Sequence, residues 1–330
     1  MAEALIPTIR TRADIERDLR RGTKLTAAPG PDAPRLTRRP EWLKVKVQQG
    51  ENFTELRNIM RERGLHTVCE EAACPNIHEC WEAREATFLI GGDLCTRRCA
   101  FCDIMTAKPQ GLDPEEPQKI AEAVRLMGLK FAVVTGVARD DLDDGASAHW
   151  AATIRAIRDA MPDCGIEVLI PDFKGRKEHP RASLATVIEA WPDVLAHNLE
   201  TSRRLHPTIR PGFGYDASLE LLRWAKELRP EQVTKSNFIV GMGETEDEIR
   251  ASMRDLRDVG CDVLTIGQYL QPTVSWHLPV DRWVHPEEFA RYKAFGESEL
   301  GFAWVESGPL VRSSYHAGKQ YQSASARLAG

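Results

Sequence analysis

The chain has 330 residues, with 44 lysines and arginines against 49 aspartates and glutamates, and its formal net charge is −5. This balance gives no sign of the basic surface typical of nucleic-acid-binding proteins, and no run of about 18 apolar residues could span a membrane. The N-terminus lacks the apolar core of a secretion signal, so the sequence predicts a cytoplasmic protein. In such a protein, clustered cysteines predict metal or redox ligands rather than disulfides.

Residues 1–40 include four prolines between positions 29 and 40 among many charges, which predicts a flexible N-terminal arm. Residues 41–86 are predicted to form an N-terminal extension. This extension contains Cys69, Cys74 and Cys80 in the spacing C-x4-C-x5-C.

A second cysteine group, Cys95, Cys99 and Cys102, follows with the spacing C-x3-C-x2-C. A cubane iron–sulfur cluster has four irons, so each group is one protein thiolate short of a full ligand set. Both groups therefore predict clusters with one open position. Zinc is the alternative for the first group, with His66 or His78 as fourth ligand, although zinc sites usually pair C-x2-C elements.

From Thr87 onward, short apolar runs alternate with amphipathic stretches, and this alternation predicts parallel strands covered by helices. The predicted strands lie within residues 87–92, 131–136, 165–172, 193–200, 233–244 and 262–270. We predict an α/β fold, a partial TIM-type (β/α)6 barrel over residues 87–300, with a C-terminal extension at 301–330. A doubly wound sheet is the alternative, but no G-x-G-x-x-G follows the first strand.

Polar residues gather at the carboxyl ends of these runs, where barrel enzymes build their sites. Glu200 is the last residue of an apolar strand, so a solvent-exposed surface position explains this residue poorly. The residues concerned are Thr135, Arg139, Asp140, Asp141, Asp172, His197, Asn198, Glu200, Lys235, Ser236, Glu244, Gln268 and Tyr269.

The segment CTRRCAFC resembles the signature of the radical S-adenosylmethionine superfamily. Residues 237–244 resemble its G-x-I-x-G-x-x-E element, with Asn237 in place of the glycine. This resemblance implies that Cys95, Cys99 and Cys102 hold a [4Fe-4S] cluster whose fourth iron binds S-adenosylmethionine and yields a 5′-deoxyadenosyl radical. Toward this cofactor we predict contacts from Phe101, Thr135, Asn198, Glu200, Ile239 and Tyr269.

The paired segments CEEAACPNIHEC and ATFLIGGDLCTRRCAFCD, followed by LIPDFKG, HNLETSRRLHPTIRP, GQYLQP and GPLVRSSYHAG, resemble the lipoyl synthase family. The resemblance implies insertion of two sulfur atoms at C6 and C8 of an octanoyl group on a carrier-protein lysine. Cys69, Cys74 and Cys80 would hold an auxiliary [4Fe-4S] cluster that donates the sulfur. A serine of RSSY, Ser313 or preferably Ser314, would be its fourth ligand.

The same resemblance implies partners. They are octanoylated lipoyl carrier proteins (H-protein and 2-oxoacid dehydrogenase acyltransferase subunits), an electron donor such as ferredoxin or flavodoxin, and a carrier that repairs the cluster. We expect a monomer. The chain departs from the family at Gly136 (usually serine), Ala138 (usually aspartate) and Ala146 (usually the second of two glycines).

Three alternative functions remain at the level of the sequence. One is a radical enzyme with an auxiliary cluster and another substrate, such as a methylthiotransferase, although the chain has no room for that enzyme's flanking domains. Biotin synthase lacks the upstream cysteine group. A non-catalytic iron–sulfur or zinc module would not need six βα units.

Overall fold

The computed structural model describes residues 39–44, 50–62, 67, 69, 74–273 and 277–328. The predicted arm at 1–40 therefore lies almost entirely outside the described residues, and His66 lies outside them as well. A short 3₁₀ turn, Glu41–Leu43, precedes two helices, α1 (Glu51–Glu62) and α2 (Ile77–Glu82).

The strands of the described residues form one seven-stranded sheet and one two-stranded sheet, and all of their pairings are parallel. In the large sheet the strands follow chain order, so each crossover leads to the next neighbour. Its strands are β1 (Ala86–Ile90), β4 (Phe131–Gly136), β5 (Gly165–Leu169), β6 (Val194–Ala196), β7 (Val233–Val240), β8 (Val263–Gln268) and β9 (Trp304–Gly308). The small sheet pairs β2 (Leu94–Cys95) with β3 (Met105–Thr106).

Helices connect the strands of the large sheet, as the alternating sequence pattern predicts. They are α3 (Glu116–Leu126), α4 (Ser147–Ala160), α5 (Pro180–Ile188), α6 (His206–Ile209), α7 (Tyr215–Leu228), α8 (Glu246–Asp258) and α9 (Pro286–Ala294), which continues as a π-helical turn at Phe295–Glu299. The last helix is α10 (Ala317–Leu328). A sequential, open, parallel sheet of this kind confirms the predicted α/β partial barrel.

The two faces of the sheet have different roles because side chains alternate along a strand. Phe88, Val134 and Val168 are fully buried in the core that β1, β4 and β5 share with helices such as α3 and α4. Thr87 and Glu167 point to the opposite face, the interior of the barrel. Polar groups of the site are carried on this interior face.

The structure has one strand more than the sequence analysis predicted. β9 runs from Trp304 to Gly308 and pairs with β8, with Val263 opposite Trp304 and Gly267 opposite Gly308. The segment has only one fully buried residue, Val305. Its local apolar pattern was too short to predict a strand, and pairing with β8 decides its conformation.

The C-terminal helix α10 packs against the amino-terminal ends of the strands. Ala324 is buried with Val194, Val233 and Val263, and the rings of Tyr321 and Phe131 lie 5.7 Å apart between centroids. This end of the barrel is therefore covered by α10. No helix among the described residues has the length and apolar character needed to cross a membrane.

Candidate functional site

The second cysteine group leaves the carboxyl end of β1 through Gly91 and Gly92, which have φ angles of 82° and 95°. These left-handed conformations suit glycine and turn the chain over the strand end. The Cys95 sulfur accepts hydrogen bonds from the backbone N–H groups of Arg97 and Ala138, each at 3.4 Å. The loop thus holds the Cys95 sulfur from two directions.

Cys99 and Cys102 are packed close together in the same loop, and the backbone N–H of Cys102 donates to the carbonyl of Cys99 at 3.2 Å. Burial raises the pKa of the Cys99 thiol to about 11. Burial, followed by the nearby Cys99, raises that of Cys102 to about 12. Crowded thiols of this kind lose their protons when a cationic metal centre binds, so the cysteines fit a metal cluster.

Arg97 holds this loop against the neighbouring strand ends, a role the sequence analysis missed. Its side chain is only 4% exposed. It donates to Asp140 and Asp172, each at 2.8 Å. The guanidinium also lies 4.1 Å from the ring centroid of Phe213. In the sequence, the only indication of this role of Arg97 was the pair of adjacent arginines in CTRRC.

Three of the predicted cofactor contacts come together above the barrel. Phe101, Ile239 and Tyr269 pack in one apolar cluster with Ile209 and Met242. Such a cluster offers an apolar surface to the ring of a nucleotide.

A loop closes over this cluster. The Tyr269 hydroxyl donates to the carbonyl of Leu278 at 2.7 Å, and the Leu278 N–H donates to the carbonyl of Ala100 at 3.1 Å. The loop at 277–280 is thereby tied to the second cysteine group.

Glu200 lies beside this cluster in a left-handed conformation, φ 71°, and is buried. The side-chain amides of Asn198 and Asn237 donate to its two carboxylate oxygens at 2.9 and 2.8 Å. Burial raises the pKa of Glu200, and the nearby Arg210 opposes that rise. Asn237, which replaces the glycine of the superfamily element, therefore positions this carboxylate.

Two other predicted contacts lie at the carboxyl ends of β4 and β6, which β5 separates. The Asn198 side-chain oxygen is buried with no hydrogen-bond partner in the described structure, which is the condition expected of a group that meets a bound polar ligand. Thr135, at the carboxyl end of β4, donates to the carbonyl of Leu169 at 3.3 Å. The unpaired Asn198 oxygen can accept a hydrogen bond from the amino group of an S-adenosylmethionine molecule.

The first cysteine group surrounds a separate cavity with about 420 Å³ of empty space, part of it open to solvent. Cys69, Cys74, Cys80 and Ser314 all line this cavity, together with Arg312. Three thiols and one hydroxyl around a common space fit the four irons of a cubane cluster. Of the two candidate serines, Ser314 is the one in the lining.

Burial dominates the chemistry of these thiols. It raises the pKa of Cys69 to about 12, with a smaller contribution from Cys74. It also raises the pKa of Cys80, with help from both neighbouring thiols. A cationic cluster would remove this penalty, as in the second cysteine group.

The zinc alternative gains no support from His78, which is not among the residues that line the cysteine cavity. Its ring packs on Phe53 at 4.7 Å between centroids. Among the described residues, no three His, Cys, Asp or Glu side chains are grouped as one bound metal ion would hold them.

A buried ion pair borders the cavity inside the barrel. Lys235 donates to both carboxylate oxygens of Glu167 at 2.9 Å, and both side chains are 1% exposed. Glu167 stands in register with Val133, which lines the cysteine cavity. Glu167 was missed because one carboxylate inside an apolar run gives no indication of its partner.

Of the three departures from the family pattern, the structure explains the glycine at position 136. A Cβ atom on Gly136 would lie 2.6 Å from the Trp150 ring, so the ring occupies the space of a serine side chain. Ala138 contributes its backbone N–H to Cys95. Ala146 has φ 73°, a conformation that explains a glycine at this position in the family.

Comparisons with known proteins show the family to which the chain is similar. The family model described as the Radical SAM superfamily matches residues 89–256, and the model for the N-terminal domain of lipoyl synthase matches residues 28–74. A lipoyl synthase of Mycobacterium tuberculosis (strain H37Rv) is 56% identical over 88% of this chain and 90% of that protein. A lipoyl synthase of Rubrobacter xylanophilus is 56% identical over 87% of both chains.

Among solved structures, the chain resembles methylornithine synthase with a TM-score of 0.51, at 14% identity over 76% of this chain and 74% of that chain. It also resembles Streptococcus suis SuiB bound to S-adenosylmethionine, with a TM-score of 0.50 at 10% identity over 68% of this chain and 51% of that chain. At such low identity these likenesses concern the fold alone.

Proposed function

The chain belongs to the lipoyl synthase family of the radical S-adenosylmethionine superfamily, and we propose which of its residues perform that family's reaction. Its activity is that of a lipoyl synthase, a radical sulfurtransferase. The assignment of residues depends chiefly on one observation: the cavity lined by Cys69, Cys74, Cys80 and Ser314.

The reaction needs two kinds of centre. An octanoyl methylene has no acidic proton, so no side chain can begin its functionalisation as a general base. When loaded, a radical cluster with S-adenosylmethionine would supply a radical that removes a hydrogen atom, and an auxiliary cluster would supply sulfur. Cys95, Cys99 and Cys102 would hold the radical cluster.

The auxiliary [4Fe-4S] cluster would be held by Cys69, Cys74, Cys80 and Ser314. A serine oxygen is a harder ligand than a thiolate and binds the soft iron–sulfur core less firmly. Ser314 would therefore leave one iron with an exchangeable ligand, which suits a cluster that is consumed as sulfur is transferred.

The nucleotide would be held above the barrel by groups around the second cysteine loop. Phe101, Ile239 and Tyr269 would contact its ring, and Glu200 and Asn198 would accept hydrogen bonds from its polar groups. Asn237 would fix the direction of the Glu200 carboxylate. Thr135, at the carboxyl end of β4, would complete the polar lining.

The proposed substrate is an octanoyl group carried on a lysine of H-protein or of a 2-oxoacid dehydrogenase acyltransferase subunit. Holding the substrate methylenes within reach of both centres would accelerate the reaction, because the reacting groups would already be correctly positioned. A ferredoxin or flavodoxin would deliver electrons, and an iron–sulfur carrier would rebuild the spent auxiliary cluster.

An anaerobic assay tests this function. The reconstituted protein, which should contain about eight irons for two cubanes, is incubated with an octanoyl-lysine peptide, S-adenosylmethionine and dithionite. We expect a mass gain of two sulfur atoms on the peptide and formation of 5′-deoxyadenosine. Deoxyadenosine without a sulfur-containing product would overturn the assignment and indicate another acyl substrate.

A further inference from the structure

Asn76 stands directly before helix α2 and is only 4% exposed. An asparagine at this position usually accepts a hydrogen bond from the first turn of its helix, but the Asn76 side chain makes no such bond. Its amide nitrogen instead donates to the carbonyl of Leu310 at 2.7 Å, across 234 residues of sequence. The side chain is therefore committed to the C-terminal segment.

The backbone of Asn76 contacts two of the three cysteines of the first group. Its carbonyl accepts from the Cys80 N–H at 2.9 Å. The Asn76 N–H donates to the Cys74 sulfur. One buried residue thus connects the cysteine group with the segment that carries Ser314.

A second contact lies on the other side of Ser314. The Tyr315 hydroxyl donates to Glu79 at 3.2 Å, and the His316 ring lies 3.4 Å from the same carboxylate. Glu79 is 59% exposed, so solvent weakens these contacts. The Asn76–Leu310 bond, whose donor residue is only 4% exposed, is the stronger attachment.

We propose that Asn76 is a positioning residue that holds residues 310–316 across the cysteine cavity and so presents Ser314 to it. The inference depends on the proposed role of Ser314 as a cluster ligand. The position of Ser314, the exchangeable ligand, is then set by α2, the helix that also carries Cys80. A displacement of α2 would therefore move Ser314 and Cys80 together.

Two substitutions separate the side chain from the backbone of Asn76. Asn76→Asp keeps the shape but places a carboxylate against the Leu310 carbonyl, and Asn76→Ser keeps a good capping residue that is too short to reach it. Both leave the backbone contacts with Cys74 and Cys80 available. Asn58→Asp, on the exposed face of α1, adds the same charge elsewhere and serves as the matched control.

The first measurement is hydrogen exchange on the full-length, cluster-loaded protein. We expect the amides of residues 309–328 to exchange roughly ten-fold faster in both Asn76 variants, as the loss of a buried hydrogen bond predicts. Helix α8 should remain as protected as in the wild type, and Asn58→Asp should behave as the wild type throughout. Unchanged exchange at 309–328 in both variants would overturn the proposal.

The second measurement follows the cluster. Mild oxidation of a cluster that has lost its fourth protein ligand yields a three-iron form visible by electron paramagnetic resonance. We expect several-fold more of this signal in Asn76→Asp and Asn76→Ser at unchanged total iron before oxidation, and a wild-type signal would overturn the proposal. Neither measurement requires turnover, so absence of sulfur insertion in the wild type would reject the proposed function alone.

Discussion

Single residues distinguish the two cysteine groups. Cys69 and Cys80 line the same cavity as Ser314, whereas Cys99 lies near the charged groups of Arg210 and Glu200. A protein oxygen is thus available to complete the first group, and the second group opens toward the predicted nucleotide contacts.

This difference predicts opposite losses when one cysteine of each group is removed. Cys99→Ala should abolish 5′-deoxyadenosine formation, while Cys74→Ala should retain it and lose sulfur insertion. We expect each loss to exceed roughly 100-fold, because even residues behind metal ligands contribute 10–100-fold. Both products are measured in the same anaerobic reaction.

Cys164→Ala is the control, since Cys164 is buried directly before β5 and does not line the cysteine cavity. It should retain both products. If Cys74→Ala also stopped deoxyadenosine formation, the division of roles between the two groups would be wrong.

The two neighbouring serines give a second prediction at this scale. Ser314→Cys should retain the auxiliary cluster but reduce sulfur insertion at least ten-fold, because a thiolate binds the soft iron more firmly than an alkoxide does. Ser313→Cys is the matched control and should behave as the wild type. Iron content and sulfur insertion are measured together, and unchanged insertion in Ser314→Cys would argue against an exchangeable ligand.

At the scale of elements, the contact between β4 and α4 explains a departure from the family. The Trp150 ring fills the space next to Gly136, where a Cβ atom would also lie 3.0 Å from the carbonyl of Ile90. The sequence shows that position 136 is a glycine. Only the packing of α4 on the sheet shows which side chain fills the space that a serine would need.

Gly136→Ser should therefore be destabilising, even though serine is common at this position in the family. Overpacking of this kind lowers the free energy of unfolding by about 1–3 kcal/mol, which urea unfolding measures. Gly111→Ser, where a Cβ atom meets nothing within 4 Å, should change it little. Combining Gly136→Ser with Trp150→Leu should cost less than the sum of the two single changes, and strict additivity would contradict the explanation.

Secondary structure was predictable where the pattern is local. β4 was predicted with its observed bounds, Phe131–Gly136, because its apolar run is uninterrupted. β9 was missed because Glu306 and Ser307 interrupt its short run, and its hydrogen bonds come from β8. β4 is specified by the apolar residues of the strand itself, whereas β9 depends on its hydrogen bonds with β8.

At the scale of the whole molecule, a buried histidine couples stability to pH. His197 is enclosed at the end of β6, where its ring nitrogens contact the carbonyl of Ile170 at 2.9 Å and the Ser218 hydroxyl at 3.0 Å. Burial, followed by the charge of Arg210, lowers its pKa to about 3, although Asp172 opposes this and Arg97 adds to it.

The direction of this pH dependence follows from the difference between the pKa values of His197 in the folded and unfolded states. An unfolded histidine has a pKa near 6.5, so between about pH 6.5 and 3 the unfolded chain binds a proton that the native protein excludes. The free energy of unfolding should therefore fall as the pH falls, by up to about 1.4 kcal/mol per pH unit from this residue. Urea unfolding between pH 7 and pH 5 should show a flatter dependence for His197→Asn than for the wild type.

The exposed histidine at position 285 offers the control, because its side chain is 57% exposed. His285→Asn should keep the wild-type dependence on pH, since this side chain lacks the enclosure that surrounds His197. An equal slope in His197→Asn and the wild type would show that other groups cause the acid sensitivity.

The sequence alone determined the two cysteine groups, six of the seven strands of the large sheet and the family to which the chain belongs. These features are encoded in residues close together along the chain, where ligand spacing and hydrophobic periodicity can be read directly. The tertiary structure decided the placement of Ser314 in the cysteine cavity, the attachment of Leu310 to Asn76 and the enclosure of Glu167 by Lys235. Each of these joins residues distant in sequence, because burial and hydrogen-bond geometry exist only after the barrel has packed.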